Sequence, residues 1–528
     1  MAGMDQAGKP PSSRVVYAAI VLVAACLLAG CGLAMGEENG AEERVDVERA
    51  ASAGTPERPN VILILADDLD AASISHMPNL QFLLIERGTT FENAFVTDPL
   101  CCPSRATILR GQYAHNHDIL GNEPPHGGFE KFRAMGHQNS TFATWLQDGG
   151  YRTILVGKYM NGYEGTHVPP GWDEWYAVSG NYMSTQLNEN GRINDYDPEQ
   201  DYLTDVLGER AGGYVGRPGG GTPSFFVPHR SFFMWLGTNA PHQPADPAPR
   251  HADALADVSL PKPPSFDEED VSDKPDWISD NPPLNPQQVE LAEDLYRKRL
   301  QSMLAVDEMI GRLVQTLRES DELDDTYIFF TSDNGYHMGT HRLSTGKWTA
   351  YEEDIRVPLI AVGPGVPEDR KLEHLVLNND LAPTFAELGG AEAPSFVDGR
   401  SLAALLGEDP PSPNEWRSAF LVEAATELGG AEADPTVDDG SPELPLSGDP
   451  SPKRRWGRPG LEALRTGGTL YVEYETGERE LYDLQKDPYQ LDNRYGTAGP
   501  DLKGRAEQWL EALRGCAGAT CRDAEDGH

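Results

Sequence analysis

The sequence predicts an α/β fold with a central, mostly parallel sheet and a smaller C-terminal α+β subdomain. Three observations support this prediction. Short apolar runs of strand length recur along the chain, patterns of helical periodicity lie between them, and two strands with a turn and then a helix follow near the C-terminus. Strands that alternate with helices favour βαβ units, in which helices cover both faces of a sheet.

Five apolar runs predict the buried strands of this sheet. They are residues 61–66, 153–156, 232–236, 327–330 and 359–362. Short uninterrupted apolar runs are typical of parallel strands that are buried on both faces. Between two of these runs, residues 286–318 carry apolar side chains mostly at helical spacing, and they predict a long helix.

The chain after residue 400 predicts the smaller subdomain, 401–528. Residues 470–488 predict two strands joined by a turn at Thr476 and Gly477. Residues 501–514 predict the helix that follows them.

Two stretches of the chain have the composition of irregular structure. Residues 261–286 are rich in Pro and Asp, and they predict a long surface loop. Residues 424–459 are rich in Pro, Gly and acidic residues, and they predict a disordered insertion in the smaller subdomain.

The N-terminus predicts export from the cytoplasm. Residues 15–30 form an apolar run behind Lys9 and Arg14, and this run is shorter than a comfortable transmembrane helix. The pattern is typical of a signal sequence, which we place at residues 1–30. Residues 36–59 are polar and aperiodic, so we place a flexible tether at residues 31–58.

The end of the apolar run resembles a bacterial lipobox. It reads Leu28-Ala29-Gly30-Cys31, and the resemblance implies that Cys31 is lipidated and becomes the new N-terminus. The protein would then lie outside the cytoplasm, at the cell envelope, with this lipid anchor as its only attachment to a membrane. Ordinary signal cleavage after Ala34, with Cys31 incidental, is the alternative.

The charge balance excludes one class of partner. The 84 Asp and Glu residues outnumber 43 Lys and Arg residues, which gives a formal net charge of -41. A surface this acidic repels polyphosphate, so we expect no binding to nucleic acid.

Cysteine spacing gives two further expectations. Cys516 and Cys521 are close in sequence, which predicts a small-loop disulfide in an exported protein. Cys101 and Cys102 are then left without an obvious structural partner. A bridge between one of them and the C-terminal pair is the alternative.

Polar residues follow four of the predicted strands. Asp67 and Asp68 follow the first strand, Lys158 the second, His242 the third, and Asp333 and Asn334 the fourth. Ligands of open α/β sheets bind beyond the carboxyl ends of the strands, so we expect these residues to converge on one site.

The residues that follow the strands have two kinds of chemistry. Asp67, Asp68, Asp333 and Asn334 offer only oxygen ligands, which suit Ca²⁺ or Mg²⁺ better than zinc. Basic side chains are expected beside them, namely Arg105, Lys158, His242 and Lys347. A metal and several fixed cations around one pocket predict a site for a tetrahedral oxyanion ester.

The same residues lie in motifs that resemble those of the sulfatase family. "CCPSRATILRG" resembles the sulfatase signature, and the neighbouring motifs follow in the sulfatase order: "ADDLD", "CCPSR", "VGKYMNGY", "APHQP", "SDNGYHMG", then Lys347. The resemblance covers roughly residues 58–520. It implies an alkaline-phosphatase-like sandwich, with a catalytic domain at 59–400 that hydrolyses sulfate esters.

The resemblance also implies a role for each site residue. Cys101 would be oxidised to Cα-formylglycine by a formylglycine-generating enzyme, and the hydrate would be the nucleophile. An oxygen of modified residue 101 would join the four oxygen donors around one Ca²⁺: Asp67, Asp68, Asp333 and Asn334. Arg105 and Lys158 would orient and activate the hydrate. Lys347 and His242 would bind the sulfate and protonate the leaving alcohol.

One position departs from the common family pattern. Many sulfatases have a His two residues after the lysine that matches Lys158, and this His helps to expel sulfate; here the position is Met160. The N-acetylglucosamine-6-sulfatase and heparan endosulfatase branch also lacks that His, and this chain resembles it in other motifs. The base that expels sulfate is therefore unassigned, with His115, His117 and His337 as candidates.

The resemblance leaves three functions to compare. The first is a sulfatase for a small or terminal sulfated sugar, such as N-acetylglucosamine 6-sulfate, or for an arylsulfate. The second is a phosphonate monoester or phosphodiester hydrolase of the same fold. The third is a non-catalytic lipoprotein that binds sulfated glycans.

Overall fold

The structure, a computed structural model, describes residues 58–180, 185–198, 200–216, 230–426 and 458–527. The predicted signal sequence, the lipidation site Cys31 and almost all of the tether lie outside the described residues. Most of the predicted insertion at 424–459 lies outside them as well.

The described residues contain sixteen strands. They are β1 (Asn60–Ala66), β2 (Thr89–Phe95), β3 (Arg152–Gly157), β4 (Glu174–Val178), β5 (Gln186–Glu189), β6 (Arg192–Asp195), β7 (Phe232–Gly237), β8 (Thr326–Ser332), β9 (His337–Met338), β10 (Thr345–Gly346), β11 (Leu359–Val362), β12 (Arg370–Leu377), β13 (Ala419–Ala424), β14 (Leu461–Thr466), β15 (Thr469–Tyr474) and β16 (Arg479–Asp483).

The same residues contain thirteen α-helices, several of them single turns. They are α1 (Pro78–Leu80), α2 (Cys101–Arg110), α3 (Ala114–His117), α4 (Gly128–Ala134), α5 (Phe142–Asp148), α6 (Leu203–Val215), α7 (Asp276–Ser279), α8 (Pro286–Glu319), α9 (Glu352–Ile355), α10 (Leu381–Leu388), α11 (Ala403–Leu406), α12 (Pro500–Arg514) and α13 (Ala519–Glu525). The predicted long helix is α8, and it begins with a capping box at Asn285.

Ten strands form one large sheet in the order β12-β2-β11-β8-β1-β7-β3-β4-β5-β6. Its centre is parallel, because β8, β1, β7, β3 and β4 run in one direction. Four of the five predicted strands belong to this parallel group. The α/β prediction is therefore confirmed.

The direction predicted for the fifth strand, β11, is wrong. It pairs antiparallel with both β8 and β2. An apolar run indicates that a strand is buried on both faces. Central antiparallel strands are buried in the same way, so the run does not distinguish the two directions. The chain between β8 and β11 contains only the β9–β10 hairpin and the single turn α9, and it returns without a long crossover helix.

Both faces of the sheet are covered, as expected. In β1, Val61 and Leu65 pack into one apolar cluster, whereas Ile62 and Ile64 pack into another. Consecutive side chains of a strand point to opposite faces, so β1 contributes to two separate cores. The buried side of α8 belongs to the second core through residues such as Met303 and Ile310.

The C-terminal part contains a second, antiparallel sheet in the order β13-β14-β15-β16. The predicted hairpin is β15 and β16, and the predicted helix is α12. Cys516 and Cys521 form a disulfide between α12 and α13, and Cys101 and Cys102 are free thiols. The subdomain boundary at residue 400 stays a prediction.

The region predicted as a surface loop, 261–286, is mostly irregular and contains the single turn α7. Several of its side chains are buried nonetheless, including Ser265 and Ile278. None of the described helices is both long enough and apolar enough to cross a membrane.

Candidate active site

Two carboxylates follow β1 at the centre of the sheet. Asp67 and Asp68 are both buried, and the backbone N–H of Asp68 donates to Asp333 Oδ1 at 3.0 Å. Asp68 has a φ of 67°, in the left-handed region that a non-glycine residue adopts at a cost. Its surroundings therefore hold it in this conformation.

The end of the neighbouring strand β8 supplies the other two oxygen donors. Asp333 and Asn334 are 0% exposed, and Asn334 Nδ2 donates to Asp68 Oδ1 at 2.8 Å. The remaining amide oxygen, Asn334 Oδ1, is buried and has no hydrogen-bond partner among the described residues. Asp67 and Asp68 offer ligand atoms that lie within 4.8 Å of each other, and Asp333 and Asn334 are hydrogen-bonded to Asp68. Carboxylate and amide oxygens are the ligands that a hard divalent cation prefers.

Cys101 is the first residue of α2 and faces this cluster. Its Sγ lies 3.5 Å from Asp67 Oδ1 and 3.6 Å from Asp68 Oδ1. Leu100 is the N-cap, so Cys101 points into the site from the start of the helix. Cys102, in contrast, packs in the hydrophobic core.

Arg105 follows Cys101 by one helical turn, on the same side of α2. Its Nε donates to Asp333 Oδ2 at 2.7 Å, and its Nη1 donates to the Lys158 carbonyl oxygen at 3.0 Å. The Lys158 side chain turns back toward the site, where Nζ donates to Asp67 Oδ2. The two cations thus hold the ends of β1, β3 and β8 together.

Lys347 comes from the segment directly after β10. Its Nζ lies 2.8 Å from Cys101 Sγ and 2.5 Å from Asp68 Oδ1, and the residue is 1% exposed. A lysine at this place in the sequence has the pattern of a surface residue, but the structure buries it against Cys101.

His242 lies in the loop that follows β7. Its Nδ1 is 2.6 Å from the Gln243 carbonyl oxygen, to which it donates, and its Nε2 lies 3.6 Å from Asp68 Oδ2. The carbonyl fixes the tautomer and turns Nε2 toward the site. Burial lowers the pKa of His242 to about 4, even though Asp68 and Asp67 oppose that shift.

The remaining titratable groups have pKa values set by burial and by one another. Burial and the Asp333 charge raise the pKa of Asp67. Burial also acts on Asp68, but the Lys347 ammonium and other cations outweigh it and lower the pKa of that carboxyl. Burial raises the pKa of the Cys101 thiol, so this group is protonated at neutral pH.

The protonated thiol limits what Cys101 can do as it stands. A cysteine attacks as a thiolate, and reactive cysteines have lowered pKa values. Here the neighbouring Lys158 and Lys347 lower the pKa of Cys101 less than burial raises it. The pocket is therefore poorly suited to an unmodified cysteine nucleophile.

Formal charges in the pocket balance before any metal binds. Three carboxylates, Asp67, Asp68 and Asp333, face three cations, Arg105, Lys158 and Lys347. A divalent cation would make the pocket positive by two charges. Such a pocket attracts an anionic ester despite the acidic protein surface.

The three candidate histidines make their contacts elsewhere. His115 Nδ1 lies 3.0 Å from Glu423 Oε1, and its Nε2 lies 3.0 Å from the Cys516 carbonyl oxygen. His117 Nδ1 accepts from the Ile119 N–H at 3.1 Å, so Nε2 donates to Thr107 Oγ1. These two side chains serve the packing of α2 and of the C-terminal disulfide loop.

His337 bonds to Asp354 through Nδ1, at 2.9 Å. It pairs with Gly346 across the β9–β10 hairpin, one residue before Lys347. Its other ring nitrogen, Nε2, is buried and has no hydrogen-bond partner among the described residues. The structure thus brings together all nine predicted site residues, whereas both ring nitrogens of His115 and of His117 bond to groups outside the site.

Sequence analysis missed one residue behind the site. Arg299 on α8 is 2% exposed and contacts the backbone of two site loops. Its signal in the sequence is a cation beside Leu300 and near Met303, on the buried side of the helix.

Comparison with known proteins agrees with the family resemblance of the motifs. Residues 59–391 match the family model Sulfatase. The chain is 34% identical over 493 residues to human N-acetylglucosamine-6-sulfatase, covering 89% of this chain and 87% of that protein. It is 35% identical over 384 residues to the extracellular sulfatase SULF-1 homologue of Drosophila melanogaster, covering 71% of this chain but only 34% of that longer protein.

A solved structure shares the fold. The structure of BT4656 in complex with its substrate D-glucosamine-2-N,6-O-disulfate superposes with a TM-score of 0.69 at 24% identity, covering 89% of this chain and 99% of that one. The family match, the relatives and the fold agree with the motif order, so this chain belongs to the sulfatase family of sulfuric ester hydrolases.

Proposed function

We propose that this protein hydrolyses the sulfate ester of a 6-O-sulfated sugar, such as N-acetylglucosamine 6-sulfate, with formylglycine at position 101 and one Ca²⁺. The observation that carries the proposal is the position of Cys101. Cys101 is the first residue of a helix, and its side chain lies between the oxygen donors and the Lys347 ammonium. Burial in this pocket raises the pKa of its thiol and keeps it protonated.

Formylglycine suits this pocket better than cysteine does. The hydrated aldehyde would supply one hydroxyl that displaces the alcohol at sulfur and a second hydroxyl whose deprotonation expels sulfate and restores the aldehyde, which water then hydrates again. Lys347 Nζ, which donates to Cys101 Sγ, would donate instead to an oxygen at the same place. Asp67 and Asp68 lie near enough to accept a proton from that oxygen.

Four residues would hold the Ca²⁺: Asp67, Asp68, Asp333 and Asn334. The metal would stabilise negative charge on the sulfate oxygens. Arg105 and Lys158 bond to Asp333 and Asp67, and so keep two of the ligands in place.

The leaving alcohol needs a proton, and His242 is placed to deliver it. Its Nδ1 is held by a carbonyl, so Nε2 is the atom that faces the site. Burial disfavours the protonated ring. A bound sulfate beside it favours that form, because a nearby negative charge raises the pKa of an imidazole. Protonation of His242 would therefore accompany substrate binding.

The sugar substrate is supported by two comparisons. Human N-acetylglucosamine-6-sulfatase aligns over most of both chains, and the structural neighbour holds a 6-O-sulfated glucosamine. The net charge of -41 disfavours a long polyanionic chain, so we propose a small or terminal sulfated sugar. An arylsulfate would fit the same chemistry.

We also propose an extracytoplasmic location. The Cys516–Cys521 disulfide is typical of exported proteins, and two relatives are named as extracellular sulfatases. Lipidation of Cys31 after removal of residues 1–30 would anchor the protein to a bacterial membrane.

Two measurements on one preparation test the function. Mass spectrometry of the tryptic peptide that contains residue 101 should show a lower mass than the cysteine form. Sulfate release from N-acetylglucosamine 6-sulfate should exceed turnover of a phosphodiester or phosphonate monoester. Faster turnover of the phosphorus esters would favour the second hypothesis, and binding of sulfated glycan without turnover would favour the third.

A further inference from the structure

Arg299 lies on the buried side of α8, directly behind the candidate site. It is 2% exposed, and its guanidinium reaches two backbone carbonyls. Nη2 donates to the carbonyl oxygen of Asp68, and Nη1 donates to that of Pro241 at 3.2 Å. One side chain therefore joins the segment after β1 to the loop after β7.

A third segment is held by the face of the same guanidinium. The Arg299 Cζ lies 4.1 Å from the centroid of the Tyr336 ring, two residues after Asn334. The Tyr336 hydroxyl accepts from Gln243 Nε2 at 2.6 Å. Gln243 in turn provides the carbonyl that orients His242. Arg299 thus contacts the segments after β1, β7 and β8, and each of these carries a site residue.

The contact with Asp68 has a particular physical effect. Asp68 adopts a φ of 67°, and its carboxylate points into the donor cluster only while the backbone keeps that conformation. A buried, charged donor on the Asp68 carbonyl oxygen favours this conformation over the alternatives. The same guanidinium donates to the carbonyl oxygen of Pro241, the residue before His242, and so fixes its position.

We propose that Arg299 is a positioning residue that couples the metal site to the proton donor His242. The inference rests on the proposed function and adds a residue that touches neither substrate nor metal. Loss of the guanidinium leaves two buried carbonyls without their donor, so both loops lose their alignment together. Lysine cannot replace it, because one ammonium cannot bond to both carbonyls and stack on Tyr336.

The test compares Arg299→Lys with wild type in two measurements that are independent of each other. Calorimetric titration with Ca²⁺ alone should show an affinity that is lower by about tenfold or more, as for other residues that orient metal ligands. A series of sulfate esters whose leaving alcohols differ in pKa should show a steeper loss of kcat for the poorest leaving groups. That slope reports proton delivery by His242, and a general loss of stability would not change it.

Two further variants make the result specific. Arg312 lies on the same helix, where its side chain is half exposed and pairs with Asp205 and Glu308. Arg312→Lys should match wild type in both measurements. Tyr336→Phe keeps the ring under Arg299 but removes the acceptor of Gln243. It should steepen the leaving-group dependence and leave Ca²⁺ affinity unchanged.

The outcomes separate this inference from the proposed function. If wild type binds Ca²⁺ and releases sulfate but Arg299→Lys matches it in affinity and slope, the coupling is wrong and the function stands. If Arg299→Lys does not fold, Arg299→Gln takes its place in both measurements, and a wild-type Ca²⁺ affinity and slope for that variant overturn the coupling. A wild-type chain that neither binds Ca²⁺ nor releases sulfate overturns both.

Discussion

The ammonium nitrogen of Lys347 lies 2.8 Å from the sulfur of Cys101, in the interior of the protein. Lys347 is also the main cation that compensates the buried charge of Asp68, and that charge in turn raises the pKa of Lys347. Under the proposed function, removal of this one side chain would affect the nucleophile, the sulfate site and a metal ligand together.

Lys347→Ala should lower kcat/KM for sulfate release by about 100-fold or more, the usual effect of losing one fixed donor in a reacting pocket. Lys371→Ala is the matched control, since Lys371 is 67% exposed and forms a surface pair with Glu92. The control should retain wild-type kinetics. Activity of Lys347→Ala within twofold of wild type would show that its ammonium does not act on the transferred group.

The adjacent cysteines provide a second comparison. Cys101→Ala should abolish measurable sulfate release, because it removes the proposed nucleophile, whose side chain contacts Asp67 and Asp68 from the start of α2. Cys102→Ala should remain active, since Cys102 packs in the core and its backbone N–H, which bonds to Asn122, is retained. Circular dichroism spectra of both variants should match that of wild type, which controls for loss of folding. Residual turnover by Cys101→Ala would contradict the proposed nucleophile.

Removal of the metal should stop the reaction reversibly. EGTA, followed by gel filtration, should abolish sulfate release, and Ca²⁺ should restore it. Ca²⁺ should also raise the Tm of the stripped protein, because a ligand that binds only the folded state stabilises it. Asn334→Ala removes the buried amide oxygen and should weaken Ca²⁺ binding. Full activity in the presence of EGTA would exclude Ca²⁺ as the cofactor.

Much of this site could be predicted from the sequence because its residues follow strands. Asp67, Asp68, Asp333 and Asn334 come directly after apolar runs, and parallel strands bring such ends together. Lys347 was expected among the basic side chains of the site, but its role could be assigned only through the family resemblance, since the loop that carries it has no such periodicity.

Other features could not be derived from the sequence pattern. The direction of β11 depends on the route of the chain, whereas its apolar run shows only burial. Arg299 acts on the carbonyls of Asp68 and Pro241, and every residue has a carbonyl, so no spacing rule identifies the contact. His115 lies close to Cys101 in sequence, yet its side chain turns to Glu423 in the C-terminal sheet.

The His115 contacts predict a pH dependence of stability. Burial lowers the pKa of His115, but Glu423 and the Cys516 carbonyl together raise it to about 9 from a usual value of 6.5. A pKa that is higher in the folded state stabilises the protein fully below pH 6.5, and this stabilisation is lost as the pH rises toward 9. His115→Gln should lack it.

Urea unfolding at pH 6 and at pH 9.5 measures the effect. The difference in unfolding free energy between wild type and His115→Gln should be larger at pH 6. His126→Gln, at an exposed histidine, should show no such difference. An equal difference for His115→Gln at both pH values would mean that the imidazolium does not pair with Glu423.

The last prediction concerns the junction between the C-terminal sheet and the Lys347 segment. Glu480 on β16 is 0% exposed and accepts hydrogen bonds from three tyrosine hydroxyls, those of Tyr351, Tyr474 and Tyr482. Tyr351 lies four residues after Lys347, so this carboxylate connects the small sheet to the segment that carries Lys347. Glu480→Ala leaves three buried hydroxyls without an acceptor, each of which costs about 1–3 kcal/mol.

Glu480→Ala should therefore lower the free energy of unfolding by about 3 kcal/mol or more, as measured by urea titration. Glu511→Ala is the control, because Glu511 is exposed and its pair with Arg514 on α12 is of the surface type, which contributes about 0–1 kcal/mol. Tyr351→Phe removes a single hydroxyl and should fall between the two. If Glu480→Ala were as stable as Glu511→Ala, the buried carboxylate would not stabilise this junction. The Lys347 segment would then be held mainly by Asp354, which bonds to His337 and to the Thr349 N–H.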